Sequence, residues 1–265
     1  LIKTLILIFL GILVTNAGPK KDINKFLQSH ILTLGRYYQY QKEDNPVDES
    51  LDLEMNSEFI FPQLIFTSYL YYSHNLTDGS KSDIDDPIFT VSSTPRNLIE
   101  LLKMRYYLVS SLGISKLSRD IQEQYGTIGM GIGLDLDNTF LKTPALELVA
   151  STSLSKGFRR TRYNADGVSN NDYYLRTDLT ASYKKRAWRF TGHFRFYQYF
   201  KYISDESSEI FYQYQDVGYM FLKNQEFGIG HSNRMPFYDE NSGEVNVRVV
   251  NPESSYFYIR YSFYL

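Results

Sequence analysis

Two sets of residues in this chain have types and spacings that could do chemistry. The first is the run Gly230-His231-Ser232-Asn233 near the C-terminal end. An imidazole can take the proton of a serine hydroxyl, and a further polar group can hold the imidazole in place. Neighbouring side chains of an extended chain point to opposite faces. His231 and Ser232 therefore meet only if the strand bulges between them. The second set is charged and sits in mid-segment. Lys103, Arg105, Arg176, Lys184, Arg189, Arg195 and Arg260, with His193, share a side with Asp135, Asp137, Glu147 and Asp178 if the segments are strands. Lining a water-filled passage, such groups would set ion selectivity.

The segments that carry these residues alternate with period two. From Trp188 to Phe200, Trp188, Phe190, Gly192, Phe194, Phe196 and Phe200 fall on one face. Arg189, Thr191, His193, Arg195, Tyr197 and Tyr199 fall on the other. Residues 127–137, 146–158 and 173–184 repeat the scheme. A soluble sandwich alternates too, but its strands usually run about five or six residues, whereas these are markedly longer. Their apolar faces end in aromatic residues, as interfacial girdles require. Charges buried in a dry core would cost several kcal/mol each unless paired; a wet or salt-bridged lumen tolerates them. In hydrocarbon every backbone group must find its partner within the protein, so such strands close on themselves. The expected fold is all-β, a closed antiparallel transmembrane barrel.

Strands are expected near 30–42, 101–117, 124–138, 145–158, 173–184, 187–201, 209–222, 225–234 and 254–264. Between Met55 and Ser73 the apolar phase flips at Pro62. A proline in a central strand loses a ladder bond, so a tight turn there accounts for both features. With a short returning strand at Ile88–Thr94, the count is twelve. If Pro62 marks only a bulge, the count is ten.

Lys3, the apolar run Leu5–Val14 and the small-residue site ending at Ala17 predict a secretory signal peptide over 1–17. Residues 18–29 are expected to form a short periplasmic arm and 30–265 the barrel.

Cysteine is absent, which excludes disulfide scaffolds and thiolate chemistry. The net charge is −2 and no basic block appears, so nucleic acid is not an expected partner. The 24 Tyr and 18 Phe are the compositional anomaly and suit an aromatic girdle. His30, His74 and His193 are scattered, and Asp83, Asp85 and Asp86 lack calcium-loop spacing, so no metal or cofactor is implied. Gly129, Gly131 and Gly133 lack the spacing of a phosphate loop and are expected to make room for bulky luminal neighbours. Nothing in the chain signals an oligomeric state.

The last strand alternates Phe257, Ile259, Tyr261 and Phe263 against Tyr258, Arg260, Ser262 and Tyr264. It resembles the C-terminal strand of bacterial outer-membrane β-barrels, although Leu265 stands where phenylalanine is the commonest choice. That resemblance implies an outer-membrane location, contact with outer-membrane lipid and lipopolysaccharide, and recognition by the barrel-assembly machinery. The His231-Ser232-Asn233 stretch is similar in type and chain position to that of lipid A deacylases, and in type to that of outer-membrane phospholipase A. The deacylase likeness implies that a downstream glutamate, Glu244 or else Glu240, orients the histidine. Both families keep one residue between His and Ser, and this chain does not.

Three roles are carried forward. One is a small porin-like channel, with seven luminal cations against four acids favouring anions. Another is a closed barrel for structure or surface interaction, its lumen plugged by ion pairs. The third is an outer-leaflet lipid hydrolase using His231, Ser232 and Glu244.

Overall fold

A computed structural model describes residues 27–39, 49–77, 82–136, 145–163, 167, 169–202, 207–237, 250 and 254–265. The expected signal peptide and the arm as far as residue 26 lie outside the described residues. The strands are β1 (Leu27–Gln39), β2 (Glu49–Ile60), β3 (Leu64–Asn75), β4 (Ser82–Ile84), β5 (Ile88–Ser93), β6 (Arg96–Ile99) and β7 (Leu102–Leu112). They continue with β8 (Gln124–Leu136), β9 (Leu146–Arg159), β10 (Asn171–Lys185), β11 (Trp188–Lys201), β12 (Ser207–Leu222), β13 (Gln225–Pro236) and β14 (Ser255–Tyr264). All pairings are antiparallel. β1 joins β14 on one side and β2 on the other, β2 joins β3, and the ring closes as a twelve-stave barrel with β4 and β6 as short additions. The count is twelve, as a tight turn at Pro62 predicts. β1 begins three residues earlier than expected, and β7 stops at Leu112 rather than running to 117.

The tight turn at Pro62 is present: Phe61 donates its amide to the Leu64 carbonyl at 2.8 Å, and β3 resumes in the opposite phase. The fourth stave is short: β5 runs only from Ile88 to Ser93, and β4 pairs with Tyr72–His74 of β3. The β10–β11 turn places Arg186 in the left-handed region at φ 56°. Tight connections of this kind gather at the end where β1 starts and β14 finishes. The longer connections gather at the other, the loop end.

Burial is inverted relative to a soluble domain. Leu108, Ile128 and Met130 are 60%, 60% and 68% exposed, whereas Ser155 and Asp178 are 1% and 7% exposed. Period two puts the large apolar side chains of each stave on the outer wall and the polar ones inside. Among the described residues no helix is long and apolar enough to cross a membrane.

At the loop end, Asp86 Oδ1 accepts the Ile114 and Ser115 amides at 2.9 and 2.8 Å, and its other oxygen accepts the Ser118 hydroxyl. This capture ends β7 and fixes the π-helical turn Leu117–Ile121. Asp86 is thus a structural acceptor. Asp86→Ala should release that loop: hydrogen exchange at Ile114 and Ser115 should quicken while the centres of β7 and β8 stay protected. Unchanged exchange there would contradict the tie.

Candidate functional site

The luminal face is built by the even residues of β2, β5, β10, β12, β13 and β14, and by the odd residues of β1, β3, β7, β8, β9 and β11. It brings most of the expected charges together in clusters. On β14, Arg260 donates Nε to Asp216 at 2.8 Å, Nη2 to both Asp216 and Glu226 (2.6 Å to the latter), and Nη1 to Ser262 at 2.9 Å. Arg189 on β11 reaches the same Glu226 oxygen at 2.6 Å, and the Tyr264 hydroxyl donates to its second oxygen at 3.1 Å. Two guanidinium groups thus meet two carboxylates, and no carboxylate is left bare.

A second cluster centres on Asp178 of β10. Arg176 and Arg195 each bring Nε to 2.5 Å, and His193 Nε2 lies at 3.2 Å. The other ring nitrogen of His193 lies 2.8 Å from the Thr180 hydroxyl, and the ring stacks on Tyr214 at 4.8 Å between centroids. Here one carboxylate serves two arginines, so the cluster carries a positive excess.

Arg105 lies 3.4 Å from Asp135, and Lys103 stands opposite Asp135 in the β7–β8 register. Lys184 and Glu147 pair at 3.1 Å across the rim of the tight-turn end, where both are half exposed. Asp137 lies outside the described residues.

The glycines have the expected role. Gly131 faces Tyr107, and a Cβ built on Gly131 would stand 2.5 Å from that ring and 2.3 Å from the Thr152 carbonyl oxygen. The backbone oxygen cannot step aside, so Gly131→Ala should strain the β8–β9 pairing. The effect should appear as a lower unfolding midpoint in detergent, and a midpoint matching the parent would refute the packing argument.

Five luminal acids escaped the sequence reading: Asp52, Glu54 and Glu58 on β2, Asp216 on β12 and Glu226 on β13. The alternation of Leu51, Leu53 and Met55 against Ser50, Asp52 and Glu54 carried the signal for the first group. The expected net-positive lumen is corrected accordingly. The acids of β2, β12 and β13 offset the cations, so the lumen as a whole has no marked excess of positive charge.

The proposed hydrolytic pair is also corrected. The register of β13 against both neighbours is continuous through His231 and Ser232, without a bulge. Ser232 lines the lumen. His231 lies on the outer wall, 3.0 Å from Gln215 through Nδ1 and against the Phe257 ring at 5.0 Å. The wall of the barrel separates the two, so the imidazole cannot take the serine proton. Glu240 and Glu244 lie outside the described residues. Ser232→Ala should therefore leave fatty-acid release from outer-membrane lipid at the level of the parent protein, and a drop would contradict this geometry.

The clusters leave a luminal cavity of about 680 Å³. It runs beside β14 from Tyr258 to Tyr264 and is lined from most of the staves.

The sequence matches no protein-family model and no curated protein. Among solved structures the chain is similar to an outer-membrane channel from Pseudomonas putida F1, with a TM-score of 0.55 and 9% identity over 94% of this chain and 98% of that one. It also aligns with the KdgM porin, with a TM-score of 0.47 and 6% identity over 88% of this chain and 98% of that one. The first likeness is one of fold: both chains form an outer-membrane type of β-barrel.

Proposed function

We propose that this protein is an outer-membrane channel that lets small polar solutes pass by diffusion through a charge-lined lumen. The observation that carries the reading is the inverted burial, with apolar side chains on the outer wall and a cavity lined by charged and polar side chains within. A wall of this kind suits hydrocarbon, and a lumen of this kind suits polar cargo. Similarity in fold to a bacterial outer-membrane channel supports the same reading. In this arrangement residues 1–17 direct export. The tight-turn end faces the periplasm, and β14 serves as the strand read by the assembly machinery. Outer-membrane lipid and lipopolysaccharide contact the apolar wall.

The test is conductance of the full chain refolded into a planar bilayer. Discrete steps are expected, and Arg176→Gln/Arg195→Gln should move the reversal potential towards cations. A silent bilayer, with insertion confirmed by the heat-dependent mobility of folded barrels, would instead assign a closed barrel plugged by the Arg260 and Asp178 clusters.

A further inference from the structure

The luminal charges are segregated. Counting round the ring from β2 through β1, β14, β13, β12 and β11 takes six steps to β10. Counting the other way through β3, β5, β7, β8 and β9 also takes six. β10 therefore stands diametrically across the lumen from β2. β2 presents Asp52, Glu54 and Glu58 inward, and among the described residues the staves β1, β2, β3 and β5 place no lysine or arginine on the luminal face. Asp52 accepts the hydroxyls of Tyr71 at 2.5 Å and Ser73 at 2.7 Å. Across the bore, the β10–β11 wall carries Arg176 and Arg195 on a single carboxylate, Asp178.

Low-dielectric walls focus the fields of such groups into the space between them. Opposed walls of opposite sign treat solutes unequally. A small anion is drawn to the arginines but repelled by β2, and a small cation meets the reverse. A neutral solute that carries both charges can turn crosswise and satisfy both walls at once. We propose that the lumen favours small zwitterions, molecules of amino-acid size with one ammonium and one carboxylate, over singly charged solutes of the same size. The cavity of about 680 Å³ is ample for one such molecule with its water. This inference rests on the channel reading above.

The experiment measures entry of four solutes into liposomes that hold the full-length protein. These are alanine as the zwitterion, lactate as the anion, 1-amino-2-propanol as the cation and glycerol as the uncharged control. Alanine should enter several-fold faster than lactate or the amine. Glu54→Gln/Glu58→Gln should abolish that preference, raise lactate entry several-fold and shift the reversal potential towards anions. If that variant does not fold, as judged by its electrophoretic mobility, Arg176→Gln/Arg195→Gln should remove the preference from the other wall and favour the amine. Glycerol entry with alanine no faster than the two ions would overturn the zwitterion proposal and leave the channel standing. A preference that survives neutralisation of either wall would overturn it as well. Exclusion of glycerol together with a silent bilayer would remove the channel reading, and this proposal with it.

Discussion

Arg260→Met should cost the barrel about 3–5 kcal/mol of stability, the cost typical of breaking a buried ion pair from one side. Arg260 is the hub of the luminal network: it joins Asp216, Glu226 and Ser262 from three different staves. Its side chain is 10% exposed, and those of Asp216 and Glu226 are 4% and 2% exposed. Without the guanidinium, the Asp216 carboxyl loses its cation at a place where its side chain is only 4% exposed. Glu226 retains Arg189 at 2.6 Å. The double variant Arg260→Met/Asp216→Asn should therefore recover a substantial part of the loss, because the remaining Arg189–Glu226 pair is balanced. Denaturant unfolding in detergent, followed by the fluorescence of Trp188, gives both values. A double variant no more stable than the single one would show that the loss comes from packing rather than from a stranded carboxylate.

Asp178→Ala is the second substitution with a large expected effect, and it acts in the opposite electrical sense. It removes the carboxylate to which Arg176, Arg195 and His193 converge. Two part-buried guanidinium groups would then face each other without a shared carboxylate, at a cost of about 3 kcal/mol or more. Surviving channels should be more anion-selective, and high salt should restore stability by screening the repulsion. Asp178→Ala/Arg195→Gln relieves the crowding and should return both stability and selectivity towards the parent. Unchanged selectivity in the single variant would place this cluster away from the path that ions take.

Much of the fold was legible in the sequence because a strand that separates lipid from water must alternate along its whole length. The flip of apolar phase at Pro62 located a hairpin. What escaped were places where another interaction overrides the pattern. β7 stops at Leu112 because Asp86, distant in sequence, captures the next amides. The candidate site was legible only in part. The luminal side of Arg105, Arg176, Arg189, Arg195 and Arg260 could be read from phase, but their partners depend on the register between staves. Asp216 and Glu226 meet Arg260 from separate strands, and nothing local to either residue announces that meeting. For His231 and Ser232 the adjacency in sequence was the decisive signal, and the unbulged register confirms that they part.

The glycines of the lumen have a consequence for the bore. Gly133 stands opposite Arg105 and Gly228 opposite Arg260 in the strand registers, and a Cβ on either would meet the long side chain first, at 2.9 and 2.8 Å. Each glycine is a recess that lets its partner lie flat along the wall. A single methyl group placed there would tilt the partner inward like a louvre, without changing any charge. The clear width of the passage is thus written in the relief of the backbone, and the sign of its charge in the side chains. At Gly133 a narrower barrel of the same charge lies one carbon atom away, whereas at Gly228 the same atom would press on the Arg260 guanidinium and its partners.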